Sequence, residues 1–257
     1  MRRPFFIIGL MRSGTTLLYR YLRDHPKIAL TNEAHVADFL AQCCRHAAVP
    51  FRETATAEYL SAVDLIGVIH EREVSAFARI FRSHAKAALE EFYRERFGGK
   101  DFSHWGDKLP GAFTAMELQD VYPAVRFVAI VRDPRDVWCS IRDYRRRAEV
   151  PRSWMALTAD QLGQVWVNTY RNFSAYLRHC HLLTYEDLLR DPRSVLVEVY
   201  KFLGLEFLVP PNVAFDVEHA TSASPRGSIG RWRTTLSRDE REAIEAHAGV
   251  LMDELGY

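Results

Sequence analysis

The residues with the clearest chemical signature are Gly9-Leu10-Met11-Arg12-Ser13-Gly14-Thr15-Thr16, which follow the apolar run Phe5-Phe6-Ile7-Ile8 and open a helical pattern. Their spacing is that of a phosphate-binding loop, GxxxxGK[ST], with Thr15 where the lysine belongs. Backbone N–H groups at a helix N-terminus, with the hydroxyls of Ser13, Thr15 and Thr16, make a nest for an anionic phosphate. The other reading is a plain glycine turn between strand and helix. In a nucleotide triphosphatase the lysine neutralises the β- and γ-phosphates while the following Ser/Thr holds magnesium. Here the nearby cation is Arg12, displaced into the loop. A single 5′-phosphate bearing a less charged transferable group needs fewer cations and no metal, which describes a phosphosulfate donor better than ATP.

A second anion site is legible in Phe127-Val128-Ala129-Ile130-Val131-Arg132-Asp133-Pro134, a buried strand ending in Arg132, followed by a helix carrying Ser140. An arginine at a strand end and a serine two helical turns away can converge on one phosphate. Two other readings stay open: a helix start with solvated charges, or Asp133 as the magnesium-binding acid of a P-loop kinase.

Arg12-Ser13-Gly14-Thr15-Thr16 after an apolar strand resembles the 5′-phosphosulfate loop of the sulfotransferases that use 3′-phosphoadenosine 5′-phosphosulfate (PAPS). The resemblance covers Phe5 to His35, Trp105 to Ser140, Tyr185 to Leu205 and Arg226 to Arg233. It implies a P-loop NTPase-like α/β fold, a PAPS donor and no metal. Arg132 and Ser140 then correspond to the 3′-phosphate site. Tyr185, in Thr184-Tyr185-Glu186-Asp187-Leu188, corresponds to a tyrosine beside the adenine, or is a core tyrosine at a strand end. Arg226-Gly227-Ser228-Ile229-Gly230-Arg231-Trp232-Arg233 resembles the family's RKGxxGxWK loop, which closes over the 3′-phosphate. Two departures stand out: Pro225-Arg226-Gly227 replaces Arg-Lys-Gly, and Leu17 replaces the tryptophan common in small-molecule members.

For chemistry, the resemblance places Arg12 and Lys108, in Trp105-Gly106-Asp107-Lys108-Leu109-Pro110, at the transferring group and the bridging oxygen. Lys108 follows an expected strand and so points into the cleft; the other reading is a solvated loop lysine. The histidine base of the cytosolic small-molecule branch lies two residues after that lysine, where this chain has Pro110, and His104 is on the wrong side of Lys108. Glu33, in Thr31-Asn32-Glu33-Ala34-His35, matches the glutamate base of tyrosylprotein and heparan sulfotransferases, which also follows a helix and His-Pro, here His25-Pro26. His35 is placed to assist or orient it. The bland alternatives are a solvated loop acid and a structural histidine, and the competing functions are a P-loop kinase using Mg-ATP and a non-catalytic nucleotide-binding module.

These groups need a scaffold. The chain has 257 residues, 48% apolar and 26% charged, enough for one α/β domain with a substantial core spanning 1–257. Lys+Arg 34 against Asp+Glu 33 leaves no basic field for nucleic acid or an acidic membrane. Apolar runs fall far short of the ~20 residues that span a bilayer. Met1-Arg2-Arg3 begins no signal peptide, and Cys43, Cys44, Cys139 and Cys180 form no disulfide framework, so a cytoplasmic setting is expected. Cys43-Cys44 with His46 lacks ligand spacing, so no metal is expected.

Strands are expected at Pro4 to Ile8, around Phe102 to Gly106, at Arg126 to Val131 and at His181 to Thr184. Helices are expected over Thr16 to Arg23, Glu73 to Arg96, from Thr158, over Arg193 to Leu203 and over Arg238 to Leu255. Capping boxes are expected at Thr158/Gln161 and Ser237/Glu240. Strands alternating with helices predict a mostly parallel central sheet flanked by helices. Arg142, Arg145, Arg146 and Arg147 read as a solvated helix face. The aromatic-rich stretches Val36 to Lys100 and Arg145 to Cys180 are expected to build the acceptor pocket.

Overall fold

The computed structural model describes residues 2–48, 67–110, 115–147, 156–209 and 226–257. Its centre is β1 (Arg3–Gly9), an apolar strand buried on both faces. The chain continues through α1 (Thr15–Arg23), β2 (Ile28–Asn32), α2 (Val36–Ala48), α3 (Gly67–Arg96), β3 (His104–Pro110), α4 (Ala115–Val121) and β4 (Arg126–Val131). Then follow α5 (Pro134–Arg147), α6 (Ala159–Tyr176), β5 (Cys180–Thr184), α7 (Tyr185–Arg190), α8 (Pro192–Leu203), a 3-10 turn (Arg226–Ser228), α9 (Trp232–Thr235) and α10 (Arg238–Glu254).

The described strands form one parallel sheet in the order β2-β3-β1-β4-β5, with β1 paired to β3 on one side and β4 on the other. Side chains alternate along a strand, so β1 feeds two cores. Phe5 and Ile7 pack with Leu18, Leu22, Leu188 and Leu196 of α1, α7 and α8. Phe6 and Ile8 pack with Ala41, Leu89, Leu118, Val137, Trp166 and Ile244 from α2 to α6 and α10. The crossover after β1 runs toward β2 at one edge and that after β4 toward β5 at the other, which opens a crevice at the carboxyl ends of the central strands, where such sheets bind ligands.

Both capping boxes form: Thr158 Oγ1 accepts from Gln161 N at 3.2 Å, and Ser237 Oγ accepts from Glu240 N at 3.2 Å, each with the reciprocal bond. The helices they start, α6 and α10, touch at Gly163, where a Cβ would lie 2.8 Å from the Ile244 carbonyl oxygen.

Two expectations need correction. β2 was not foreseen, because Ile28-Ala29-Leu30 is too short an apolar run to stand out after His25-Pro26. The strand expected around Phe102 to Gly106 is β3, shifted toward its C-terminus, because Asp107 and Lys108 interrupt the apolar pattern yet are buried. In the described part of Arg145 to Cys180, the aromatic residues Trp166, Tyr170 and Phe173 of α6 are buried in the core. Residues 49–66 and 148–155 of the two aromatic-rich stretches, the side chain of His46, and Pro225 lie outside the described residues. Among the described residues no helix is long and apolar enough to cross a membrane, and no His/Cys/Asp/Glu group could hold a metal ion.

Away from the crevice, at the amino end of β3, the His104 ring is buried, with Nε2 donating to the Leu203 carbonyl at 2.9 Å and Nδ1 3.0 Å from Ser103 Oγ. Burial, with Arg3 and Arg126 nearby, pushes its pKa down from 6.5 to about 4. The unfolded chain therefore takes up the proton first as pH falls, and the stability present above pH 6.5 is lost between pH 6.5 and 4. Wild type is expected to lose about 2 kcal/mol more than a His104→Gln variant between pH 7.5 and pH 5. Urea unfolding midpoints at the two pH values check this.

Candidate active site

The loop after β1 is a left-handed path: Arg12 has φ 67° and Gly14 φ 100°. Gly14 is required on two counts. A Cβ there would lie 2.3 Å from Tyr185 Cδ2, and the backbone conformation disfavours any other residue. No side chain caps α1, so the N–H groups of its first turn, starting with Thr15 and Thr16, present the positive end of the helix to the crevice. Behind the loop, Tyr170 Oη of α6 accepts from the Leu10 N–H at 3.2 Å, donates to the Ile130 carbonyl at 2.9 Å and lies 3.2 Å from Ser13 Oγ. The loop is thereby fixed to β4 by a wholly buried hydroxyl whose pKa burial pushes up to about 12.

Three arginines gather over it. Arg12 Nε donates to Ser140 Oγ of α5 at 3.0 Å, and its guanidinium lies 4.8 Å from the Tyr144 ring centroid. Arg132, at the end of β4, donates to the Arg12 carbonyl at 3.1 Å and to the Ser228 carbonyl at 2.7 Å, and covers Tyr185 at 4.5 Å. Arg231 pairs with Asp143 at 2.8 Å. Burial, then the repulsion of Arg132 and Arg231, lowers the Arg12 pKa to about 10. Arg12 stays charged at neutral pH, in a field that an anion relieves. Arg132 Nε is buried with no hydrogen-bond partner, a donor awaiting an acceptor.

The C-terminal turn is held against this cluster by a carboxylate. Asp136, buried on α5, accepts from Gly230 N at 2.6 Å and Trp232 N at 3.0 Å. Ser228 lies between the pieces, its Oγ 3.0 Å from Tyr185 Oη. Asp133 faces elsewhere: Arg135 donates to both its oxygens, from NH2 at 2.8 Å and Nε at 3.0 Å. It is engaged in a salt bridge, which removes the basis for its metal-binding reading.

Across β1, Lys108 points from β3 into the crevice. Its ammonium, almost wholly buried, donates to Thr16 Oγ1 at 3.2 Å and forms a short salt bridge with Glu33 Oε1. Lys108 is thus a strand residue and not a loop lysine. Glu33 follows β2 directly, and its N–H donates to the Lys108 carbonyl at 3.2 Å. Phosphate loop, buried cation and part-exposed carboxylate form one connected array.

A family model described as the sulfotransferase family matches residues 4–208. The chain belongs to the sulfotransferase family. Relatives of this chain include nodulation protein NoeE of Sinorhizobium fredii, 22% identical over 292 residues that cover 98% of this chain and 65% of that protein. The omega-hydroxy-beta-dihydromenaquinone-9 sulfotransferase Stf3 of Mycobacterium tuberculosis is 27% identical over 158 residues, 57% of this chain and 39% of that one. The chain spans less than two thirds of the length of these relatives. Among solved structures, the sulfotransferase domain from the curacin biosynthetic pathway superposes with a TM-score of 0.59 at 16% identity, covering 100% of this chain and 98% of that one. A mouse sulfotransferase complexed with PAP superposes with a TM-score of 0.50 at 14% identity, covering 99% and 85%. Likeness at these identities is likeness of fold.

Of the residues singled out from the sequence, Arg12, Ser13, Gly14, Thr15, Thr16, Glu33, Lys108, Arg132, Ser140 and Tyr185 are brought to one crevice. Tyr185 is buried, with Gly14 at one side and the Arg132 guanidinium over its ring. His35 turns its exposed ring to Asp38 at 3.0 Å. Arg226 and Gly227 lie exposed on the 3-10 turn, where Ser228 makes the inward contacts. Asp107, Asp136, Asp143, Tyr170, Ser228 and Arg231 were missed as site residues. The charged pair Asp107-Lys108 inside an otherwise apolar strand was a readable signal, whereas the Tyr170 contact is purely tertiary.

Gly14→Ala combines left-handed strain with a clash against Tyr185 and is expected to destabilise the fold by roughly 2–5 kcal/mol. Adding Tyr185→Ala should recover the steric part and leave the conformational part. Urea unfolding of the single and double variants separates the two.

Proposed function

We propose that the protein transfers a sulfuryl group from PAPS to an acceptor hydroxyl, an alcohol, phenol or sugar, and releases adenosine 3′,5′-bisphosphate (PAP). The observation that carries this reading is Lys108, joined at once to Thr16 of the phosphate loop and to the carboxylate of Glu33. A cation at the loop and a base beside it are what in-line transfer to a hydroxyl requires. The orphaned Arg132 Nε and the three-arginine cluster suit a doubly phosphorylated nucleotide, and the mouse relative of like fold was solved with PAP.

In this reading the loop N–H groups with Ser13, Thr15 and Thr16 hold the 5′-phosphate, while Arg132 and Ser140 hold the 3′-phosphate under the turn of Arg226, Gly227 and Ser228. Tyr185 serves the adenine side as the floor beneath Arg132. Glu33 takes the acceptor proton as the new S–O bond forms. Lys108 and Arg12 stabilise the charge that collects on the leaving phosphate as the old S–O bond breaks. His35 orients the acceptor from the rim. No residue in this scheme calls for a metal. Relatives named for a dihydromenaquinone hydroxyl and for carbohydrate support a hydroxyl acceptor. Cys43, Cys44, Cys139 and Cys180 are free thiols, which supports a cytoplasmic setting.

Glu33→Gln keeps a partner for Lys108 but removes the base, so single-turnover transfer should fall about 10²–10⁴-fold with PAP affinity little changed. Transfer at the wild-type rate rejects Glu33 as base. A thermal shift with PAP in the absence of magnesium supports the donor assignment. A response confined to Mg-ATP supports a kinase instead.

A further inference from the structure

The carboxylate of Asp107 is fully buried on β3, beside Lys108 in sequence and opposite Thr31 of β2 in register. Its Oδ2 accepts from the His35 backbone N–H at 3.0 Å, and its Oδ1 from the Lys108 N–H at 2.9 Å. Those bonds reach both ends of the Lys108–Glu33 array. The chain between Glu33 and His35 is strained: both residues have φ 57°, in the left-handed region that residues with side chains seldom occupy. Such a conformation persists only where its surroundings over-determine it. Two bonds from β3 do so here, the Lys108 carbonyl receiving Glu33 N and the Asp107 carboxylate receiving His35 N. His35 in turn starts α2, its carbonyl accepting from Phe39 N at 3.1 Å.

Burying a carboxylate here, near Tyr93, is costly and raises its pKa, and the Thr31 hydroxyl and the two backbone N–H groups offset only part of that. An apolar side chain fills that volume at less cost, and what it cannot do is receive the two N–H groups. We propose that Asp107 is a positioning residue for proton transfer: it clamps the left-handed turn that carries Glu33 to the strand that carries Lys108, and so fixes the carboxylate against the ammonium. This rests on the reading of Glu33 as the base.

Asp107→Asn keeps the shape but loses one acceptor and turns an amide donor toward a backbone N–H. Single-turnover transfer is expected to fall at least tenfold, with the dissociation constant for PAP, measured by calorimetry, changed less than threefold. In a chain already carrying Glu33→Gln, the same substitution is expected to cost less than a further twofold, because a residue acting through Glu33 has nothing left to position. A wild-type rate, parallel loss of PAP affinity, or a full additional loss on top of Glu33→Gln overturns the proposal. If Glu33→Gln alone transfers at the wild-type rate, the base assignment fails first, and the positioning role fails with it. Should Asp107→Asn give no cooperative melting transition, Asp107→Ser, smaller and able to accept one N–H, is held to the same criteria.

Discussion

The crowding of Arg12, Arg132 and Arg231 is the constraint around which this molecule is built. Like charges held together and taken partly out of water repel, and the depressed Arg12 pKa is the mark of burial first and of that repulsion second. The cluster persists because each member is tied down from behind. Arg132 is gripped by two backbone carbonyls, Arg12 by the Ser140 hydroxyl and Arg231 by Asp143. The acids that organise the region mostly face away: Asp136 receives backbone N–H groups, Asp133 pairs with Arg135, and Glu186 accepts from Asp133 N and Tyr257. Among the described residues arginines are therefore concentrated at this end of the sheet, although the chain as a whole carries only +1.

On the other side of β1 the electrostatic arrangement differs. Lys108 is matched by Glu33 in a salt bridge, so the two charges offset each other. The central strand thus separates an arginine-rich half of the crevice from a half that holds a matched Lys108–Glu33 pair. α5 unites much of the arginine-rich half, since Ser140, Asp136 and Asp143 all lie on it.

What the sequence disclosed was what is local. The glycine loop after β1, Arg132 at the end of β4 and the two capping boxes each depend on neighbours within a few residues, and all stand where the sequence put them. β2 escaped because its short apolar run, hard against His25-Pro26, is identified by its pairing with β3 and not by its own pattern. β3 was displaced because its two charged residues are buried for reasons of contact. Asp136, Tyr170 and Ser228 escaped for the same reason: a carboxylate near a helix start, a helical tyrosine and a loop serine acquire meaning only when a distant segment arrives beside them. Arg226 drew attention through resemblance, yet in this segment Ser228 and Arg231 make the inward contacts.

The central place of β1 also governs the order in which the molecule can assemble. Arg3 pairs in register with His104, and Phe5 with Arg126, so β1 has no sheet partner until a long stretch of chain beyond it has been made. Its loop then waits longer still, for Tyr170 and Tyr185. Contacts of such sequence separation form slowly, because the intervening chain must be ordered before they are rewarded. Until then Phe5-Phe6-Ile7-Ile8 is an exposed apolar segment of high strand propensity, and during synthesis this stretch has the greatest need of protection from pairing with another nascent chain.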